Sequence, residues 1–293
     1  MLTENEALEQ IRNIFVEDAG NRGIGNIMAP NDFQDALKDL LASKRIMILT
    51  GFLIKDAGVG ETDGPLGSLS IGKALEDLGK EVLFVTDKFS HHLLEEGKKL
   101  LEIKGKVEMV PYDKAAIFSR DLFDEFQPDH FLTIERPGKA ANGSFHSMRG
   151  EDLSDLIPAT DVLMLTAMEK GIRTTAIGDG GNELGMGKIK DEIIKHVQYG
   201  ELIAAELASD NLIVAGVSNW GGHGLAAGLS IITGKDLLHD KETEEKALEV
   251  IVTAGSVDGC TKENVATVDG ISLEKNLSII EGMKNIIKEY ISK

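Results

Sequence analysis

Residues 174–187 read TTAIGDGGNELGMG, joining a short apolar run to a loop that contains five glycines. Such a run is typical of a buried β-strand, and the loop leads into a segment of helical periodicity at 190–208. The same succession of apolar run, glycine turn and helical segment recurs along the chain. Because this succession is typical of βαβ units, the sequence predicts a parallel sheet covered by helices.

Six apolar runs are expected to form the sheet, at 45–54, 81–86, 106–110, 130–134, 174–177 and 211–217. Helical segments near 3–18 and 31–42 precede the first run, and the chain after Gly234 is again mostly helical. We therefore predict an α/β fold, a mostly parallel doubly wound sheet of about six strands with helical extensions at both termini. No linker rich in Pro, Gly and Ser interrupts the pattern, so residues 1–293 are expected to form a single domain.

The composition of the chain limits the classes of partner that it is expected to bind. Asp and Glu number 49 against 31 Lys and Arg, a formal net charge of −18 that repels nucleic acid and anionic membranes. The single cysteine, Cys260, excludes a disulfide framework within the chain. The acidic first residues lack a signal-peptide pattern, and no apolar run approaches the roughly 20 residues that span a bilayer. We expect a cytoplasmic protein with a small-molecule substrate, and a homo-oligomer stays open.

The glycine-rich loop carries the most informative polar groups. Ligands of an open parallel sheet bind beyond the carboxyl ends of its strands, where this loop begins. Gly180 and Gly181 leave backbone amides free to approach an anion, and Asp179, Asn182 and Glu183 are the polar side chains beside them. The loop is predicted to bind a carboxylate or phosphate and to present an acid–base group or metal ligand. The simpler interpretation is a tight turn with capping residues.

A second loop, GVGETDGPLG at 58–67, matches neither the dinucleotide-binding fingerprint nor the P-loop. Glu61 and Asp63 are two residues apart, so both can face a hard cation or an ammonium group. Thr62, between them, is a candidate substrate ligand. The alternative is a solvated loop with a helix cap.

Two further loops supply candidates. Arg136 can bind a carboxylate in bidentate fashion, and Glu135 beside it can be a base, an acid or a ligand. The alternative there is a surface Glu–Arg pair of little energetic weight. Ser218 and Asn219 begin the segment SNWGGHG at 218–224, which is expected to form a short turn that closes the crevice and hydrogen-bonds a substrate amide or carboxylate.

These segments carry a resemblance. GFLI with GETDGPLG, ERPG with a downstream MRG, GDGGNELGMG and SNWGGHGL resemble, in this order, the D-glutamate cyclase family over residues 10–290. The family's carboxyl-terminal cyclase-like domain was formerly one of unknown function. The resemblance implies a hydro-lyase that interconverts D-glutamate and 5-oxo-D-proline plus water.

Such a cyclisation needs a base for the ammonium group, a group that protonates the leaving oxygen, and an oxyanion site. The hypothesis assigns Asp179 or Glu183 as base and Glu135 as second acid. The amides at 180–181 would stabilise the oxyanion, and Arg136 would hold the α-carboxylate.

A divalent metal, Mn²⁺ or Mg²⁺, held by Asp63, Asp179 or Glu183, is a second way to polarise the carboxyl group. Two other functions stay open from the residues. One is a nucleotide-binding or phosphorylated-metabolite-binding protein that uses the glycine-rich loops, although no P-loop lysine is present. The other is an amino-acid-binding module without turnover.

Overall fold

The computed structural model describes residues 2–17 and 32–292. Within these ranges the strands are β1 (Arg45–Thr50), β2 (Leu53–Ile54), β3 (Val59–Gly60), β4 (Glu81–Thr86), β5 (Lys106–Met109), β6 (His130–Ile134), β7 (Arg173–Gly178) and β8 (Asn211–Val214). The helices are α1 (Glu4–Phe15), α2 (Phe33–Ala42), α3 (Pro65–Asp77), α4 (His91–Leu100), α5 (Ala115–Phe126), α6 (Asp161–Glu169), α7 (Lys190–His196), α8 (Gly200–Ile203), α9 (Ser218–Thr233), α10 (Lys241–Thr253) and α11 (Leu273–Ile291). No helix in the described ranges combines the length and apolar character needed to cross a bilayer.

The main sheet has six strands in the order β5-β4-β1-β6-β7-β8, and every neighbouring pair is parallel. The chain builds outward from β1 to β5, then returns to the other side of β1 with β6. The predicted doubly wound α/β fold is thereby confirmed. The order reverses between β1 and β6, and this switch point is where open parallel sheets bind ligands.

Helices cover both faces of the sheet because alternate strand residues point to opposite sides. Ile46 and Ile48 of β1 pack in a core with α1 to α4 and α9 to α11, whereas Met47 and Leu49 pack against α5 and α6. The smaller α7 and α8 cover β7 and β8 on that second face. The terminal helices are the predicted extensions, and they lie on the first face.

Helices α3 and α9 cross at backbone contact on that first face. A Cβ atom built on Gly222 would lie 2.5 Å from the carbonyl oxygen of Gly67, and one on Gly67 would lie 2.7 Å from the Cα of Asn219. Side chains at these two positions would force the helices apart. The glycines therefore set the distance between the two helices.

Several element predictions need correction. The run 45–54 is divided, because Gly51, at φ +111°, turns the chain between β1 and β2, and β2 pairs with β3 as an antiparallel hairpin. The predicted turn at 218–224 is helical and opens α9. The predicted helix at 190–208 is broken at Tyr199, which has φ +61°. The predicted helix ends at 18 and 31 lie outside the described residues.

The Gly67–Gly222 contact predicts that alanine destabilises the protein at Gly222 but not at a helical glycine that faces a flexible side chain. Gly222→Ala should lower the free energy of unfolding by about 1–3 kcal/mol, because the new methyl group meets backbone that cannot rotate away. The matched control is Gly282→Ala in α11, where the nearest atom is the flexible end of Ile14 at 3.1 Å. Alanine favours helix by about 1 kcal/mol there, so stability should be unchanged or higher. Urea denaturation measures both, and equal losses would contradict the close crossing.

Candidate active site

Glu135 occupies the switch point. It directly follows β6, and its amide and carbonyl bond the neighbouring chain segments at Ile177 and Gly51, each at 3.2 Å. Its φ of +45° lies in the left-handed region, which costs a non-glycine residue about 1–3 kcal/mol. Strain of this kind persists where surrounding structure enforces it, and it concentrates at functional sites.

The amino termini of α3 and α9 cap each other. The residue before α9 is a valine, whose side chain cannot accept a hydrogen bond. Instead the Asp63 carboxylate accepts from the amides of Ser218 (2.9 Å) and Asn219 (2.7 Å). In return, Asn219 Oδ1 accepts from the amides of Gly64 (2.9 Å) and Gly67 (2.7 Å) at the start of α3. Residues about 155 positions apart are thus held together at the edge of the sheet.

Three carboxyl groups converge at this edge, and we call them the acid centre: Asp63, Glu135 and Asp179. Their oxygens lie within 4.8 Å of one another, and all three side chains are buried. Ser218 contacts each of them. Its amide donates to Asp63 and, at 3.1 Å, to Asp179, and its hydroxyl donates to Glu135 at 2.6 Å. Without a cation, carboxyl groups this close cannot all be ionised.

The pKa of Glu135 is shifted by its surroundings. Burial raises its pKa well above the ordinary value, and repulsion from the surrounding carboxylates adds to the effect. These neighbours are Glu183, Asp63, Glu61 and Asp269. The raised pKa of Glu135 favours its protonated form.

A cleft of about 500 Å³ opens beside Glu135. Its size is within the roughly 300–1,000 Å³ typical of small-molecule sites. The lining combines acidic Glu61, Glu135, Glu151 and Asp269, basic Lys55, Arg149 and Lys262, neutral polar groups, and apolar groups that include Phe52, Leu53, Met148, Leu153 and Val197. The cleft therefore offers both charges to a small polar ligand.

The glycine-rich loop binds its own carboxylate. Glu183 accepts from the amides of Asp179 (3.2 Å), Gly180 (2.7 Å) and Gly181 (2.6 Å). The amides predicted to bind a substrate oxyanion thus bond Glu183 in this structure, and that role stays a prediction which requires Glu183 to move. Glu183 is not one of the three carboxyl groups of the acid centre, although its charge repels Glu135.

Arg136 does not line the cleft as the sequence suggested. Its side chain is fully buried, with Nη1 donating to Asp87 (2.6 Å) and to the carbonyl of Gly51 (2.8 Å). Nε donates to Thr160 at 2.9 Å. Since these partners follow β4 and β1 and precede α6, the guanidinium ties the loops together beneath the cleft. It is neither a surface pair nor placed to hold a substrate carboxylate.

The other predicted ligands have protein partners. The Thr62 hydroxyl donates to the carbonyl of Thr267, and the Asn182 amide donates to the carbonyl of His146, both at 2.8 Å. Asn219 caps α3, as described above. Of the predicted site residues, Glu61 and Glu135 line the cleft, and the others are buried and do not line it. Their roles in binding substrate stay predictions.

Sequence reasoning missed the loop that closes the cleft from the carboxyl-terminal side. Its signal is a repeated tripeptide, Val-Asp-Gly, at 257–259 and 268–270. Asp258 accepts four hydrogen bonds from within this loop and so shapes it. Gly259 lies against Glu61, so a Cβ atom at this position would overlap the Glu61 carboxylate. The loop therefore completes the acidic side of the cleft.

Among the described residues, two clusters have ligand atoms suited to a metal ion. The acid centre offers carboxylate oxygens, the ligands that hard cations such as Mg²⁺ prefer. A second cluster joins His223 and His239 to Glu244, at 3.2 and 2.6 Å. Burial alone would raise the pKa of Glu244, but the two imidazoles hold it below its ordinary value. In this second cluster the two histidines hydrogen-bond Glu244, which joins α9 to α10 outside the cleft.

Comparison of the sequence with known proteins identifies the family of this chain. A family model described as D-glutamate cyclase-like, C-terminal, matches residues 11–284. The human protein named D-glutamate cyclase, mitochondrial, is 32% identical over 245 residues, which cover 79% of this chain and 40% of the human protein. The chain thus spans less than half of that relative's length. Because the name of that relative includes the word mitochondrial, the cytoplasmic location of this chain stays a prediction. The match over nearly the whole chain confirms the resemblance seen in the sequence: this chain belongs to the D-glutamate cyclase-like, C-terminal family.

Proposed function

We propose that the chain is a hydro-lyase that interconverts D-glutamate and 5-oxo-D-proline plus water. Family membership and the name of the human relative support the reaction. The observation that carries the proposal is the acid centre, in which Glu135 keeps a proton beside two other carboxyl groups at the edge of a cleft.

The reaction moves protons without a net change. The α-ammonium nitrogen gives up two protons and forms a bond to the γ-carboxyl carbon, and one γ-oxygen leaves as water with two protons. The protein must therefore accept protons at nitrogen and deliver protons at oxygen. A protonated carboxyl group beside an ionised one can do both.

The structure supports two roles. Glu135 lines the cleft and keeps a proton, so we assign it as the donor to the leaving oxygen. Glu61 lines the same cleft and repels the Glu135 charge, so it is better placed than Asp179 to accept a proton from nitrogen. Asp179 lies behind Glu135 and holds it through their common partner Ser218.

We also propose that the acid centre can bind Mn²⁺ or Mg²⁺. Asp63, Glu135 and Asp179 would be the ligands, since they supply three hard oxygen donors whose mutual repulsion a cation removes. A bound cation would polarise the γ-carboxyl group of the substrate in place of the Glu135 proton. This set differs from the one predicted from sequence by exchanging Glu183 for Glu135.

A phosphate-binding function is less well supported. The amides of Gly180 and Gly181, which the sequence suggested as phosphate ligands, bond Glu183. An amino-acid-binding module without turnover would use the same cleft. Product analysis separates it from the hydro-lyase.

Glu135→Gln should lower turnover at least about 100-fold, because glutamine keeps the shape but cannot deliver the proton. Incubation of wild-type protein with D-glutamate, L-glutamate and 5-oxo-D-proline, followed by chiral chromatography, measures product in both directions. The control is Glu249→Gln, an exposed glutamate of α10, which should match wild type. Near-normal turnover in Glu135→Gln would remove this residue from the mechanism, and no product from wild type would leave a binding module.

Mn²⁺ should bind the acid centre, and Asp179→Asn should weaken that binding at least about tenfold because a charged ligand is lost. Calorimetric titration of chelator-treated protein gives the affinity, and circular dichroism checks that the variant is folded. Turnover after chelation should return with added Mn²⁺ or Mg²⁺. Full turnover in the chelated protein would exclude a required metal.

A further inference from the structure

The cleft is lined by basic side chains as well as by carboxyl groups, and these basic side chains are not part of the acid centre. The chain has a net charge of −18, yet Lys55, Arg149 and Lys262 all line the cleft that Glu61 and Glu135 line. Local cations in an acidic protein raise the concentration of anionic ligands where they cluster. The cleft is therefore suited to a ligand with both an anionic end and a cationic end.

Arg149 is the best fixed of these cations. Its Nη2 donates to the carbonyl oxygen of Cys260 at 3.0 Å, a neutral partner that orients the guanidinium and leaves its charge uncompensated by that contact. Lys262 instead forms an ion pair with Asp56. Lys55 is exposed, as Arg149 is, and its bond to the carbonyl oxygen of Asp152 is longer, at 3.5 Å. An oriented guanidinium is the group that recognises a carboxylate in bidentate fashion.

The carboxyl-terminal loop sets Arg149 opposite the acidic lining. Gly259 lies against the Glu61 carboxylate, and the next residue, Cys260, supplies the carbonyl that holds Arg149. One peptide step, about 3.8 Å between Cα atoms, separates these two contacts. Adjacent residues of one loop thus contact the acidic and the basic side of the cleft.

We propose that Arg149 binds the α-carboxylate of the substrate. The assignment rests on the proposed function, which places the γ-carboxyl group at Glu135 and the ammonium group at Glu61. The α-carboxylate is the charged group that remains, and it is present in both D-glutamate and 5-oxo-D-proline. Arg136, which the sequence suggested for this role, is buried in its pair with Asp87.

Binding measurements test the assignment without relying on turnover. Arg149→Gln should weaken D-glutamate and 5-oxo-D-proline by a similar factor of about 10- to 100-fold, because both lose one charge-assisted bidentate contact. Arg149→Lys keeps the charge but loses the planar geometry, so its affinities should lie between those of wild type and Arg149→Gln. Calorimetry gives the dissociation constants, and melting temperatures check the fold. The matched control is Arg120→Gln, an exposed arginine of α5, which should bind as wild type does.

The outcomes separate the two proposals. Weakened binding of D-glutamate alone would place Arg149 on the γ-carboxyl group and overturn the assignment, as would unchanged binding of both ligands. Wild-type protein that binds both ligands and forms no product would refute the hydro-lyase, while the ratio of dissociation constants still decides for or against Arg149. Wild-type protein that binds neither ligand would refute both.

Discussion

Two helix ends meet in the middle of this molecule, and the site depends on that meeting. Gly67 and Gly222 let α3 and α9 touch backbone to backbone, which brings the first turn of each helix to the other. Asp63 then caps α9, and Asn219 caps α3. A helix amino terminus favours negative charge, so the crossing stabilises the Asp63 carboxylate at the carboxyl edge of the sheet. Without the two glycines, Asp63 could not lie beside Glu135.

Burial and then the neighbouring carboxylates raise the pKa of Glu135, whose hydrogen bonding also differs from that of these neighbours. Asp63 and Asp179 accept backbone amides from the start of α9, and Glu183 accepts three amides from the glycine-rich loop. The bond shown for Glu135 comes instead from the Ser218 hydroxyl, which can rotate to accept as well as to donate. Glu135 is therefore the group that responds to its neighbours' charge by keeping a proton.

The sequence was sufficient for the sheet because its signal is local. Each strand is a continuous apolar run, and parallel order follows from the intervening helices. The site was only partly predictable, because its side chains are satisfied by distant partners. Arg136 is buried in a pair with Asp87, and a partner 49 positions away in the chain leaves no local signal. The glycines of the segment 218–224 looked like a turn because glycine disfavours helix. Gly222 contacts Gly67, while Gly221 and Gly224 lie against Ile177 and Phe15, and no local pattern reveals these contacts.

The basic lining was invisible for a related reason. Lys55, Arg149 and Lys262 are isolated charges in separate loops, and each alone looks like a solvated surface residue. Yet acidic groups alone would not select a dicarboxylic amino acid. They would attract any amine and repel a ligand whose own net charge is negative, as that of glutamate is at neutral pH. Only a cleft that sets a fixed cation against Glu61 and Glu135 can hold the ammonium group and a carboxylate of one small molecule together. The loop at 257–262 makes that arrangement, since it touches Glu61 at Gly259 and Arg149 at Cys260.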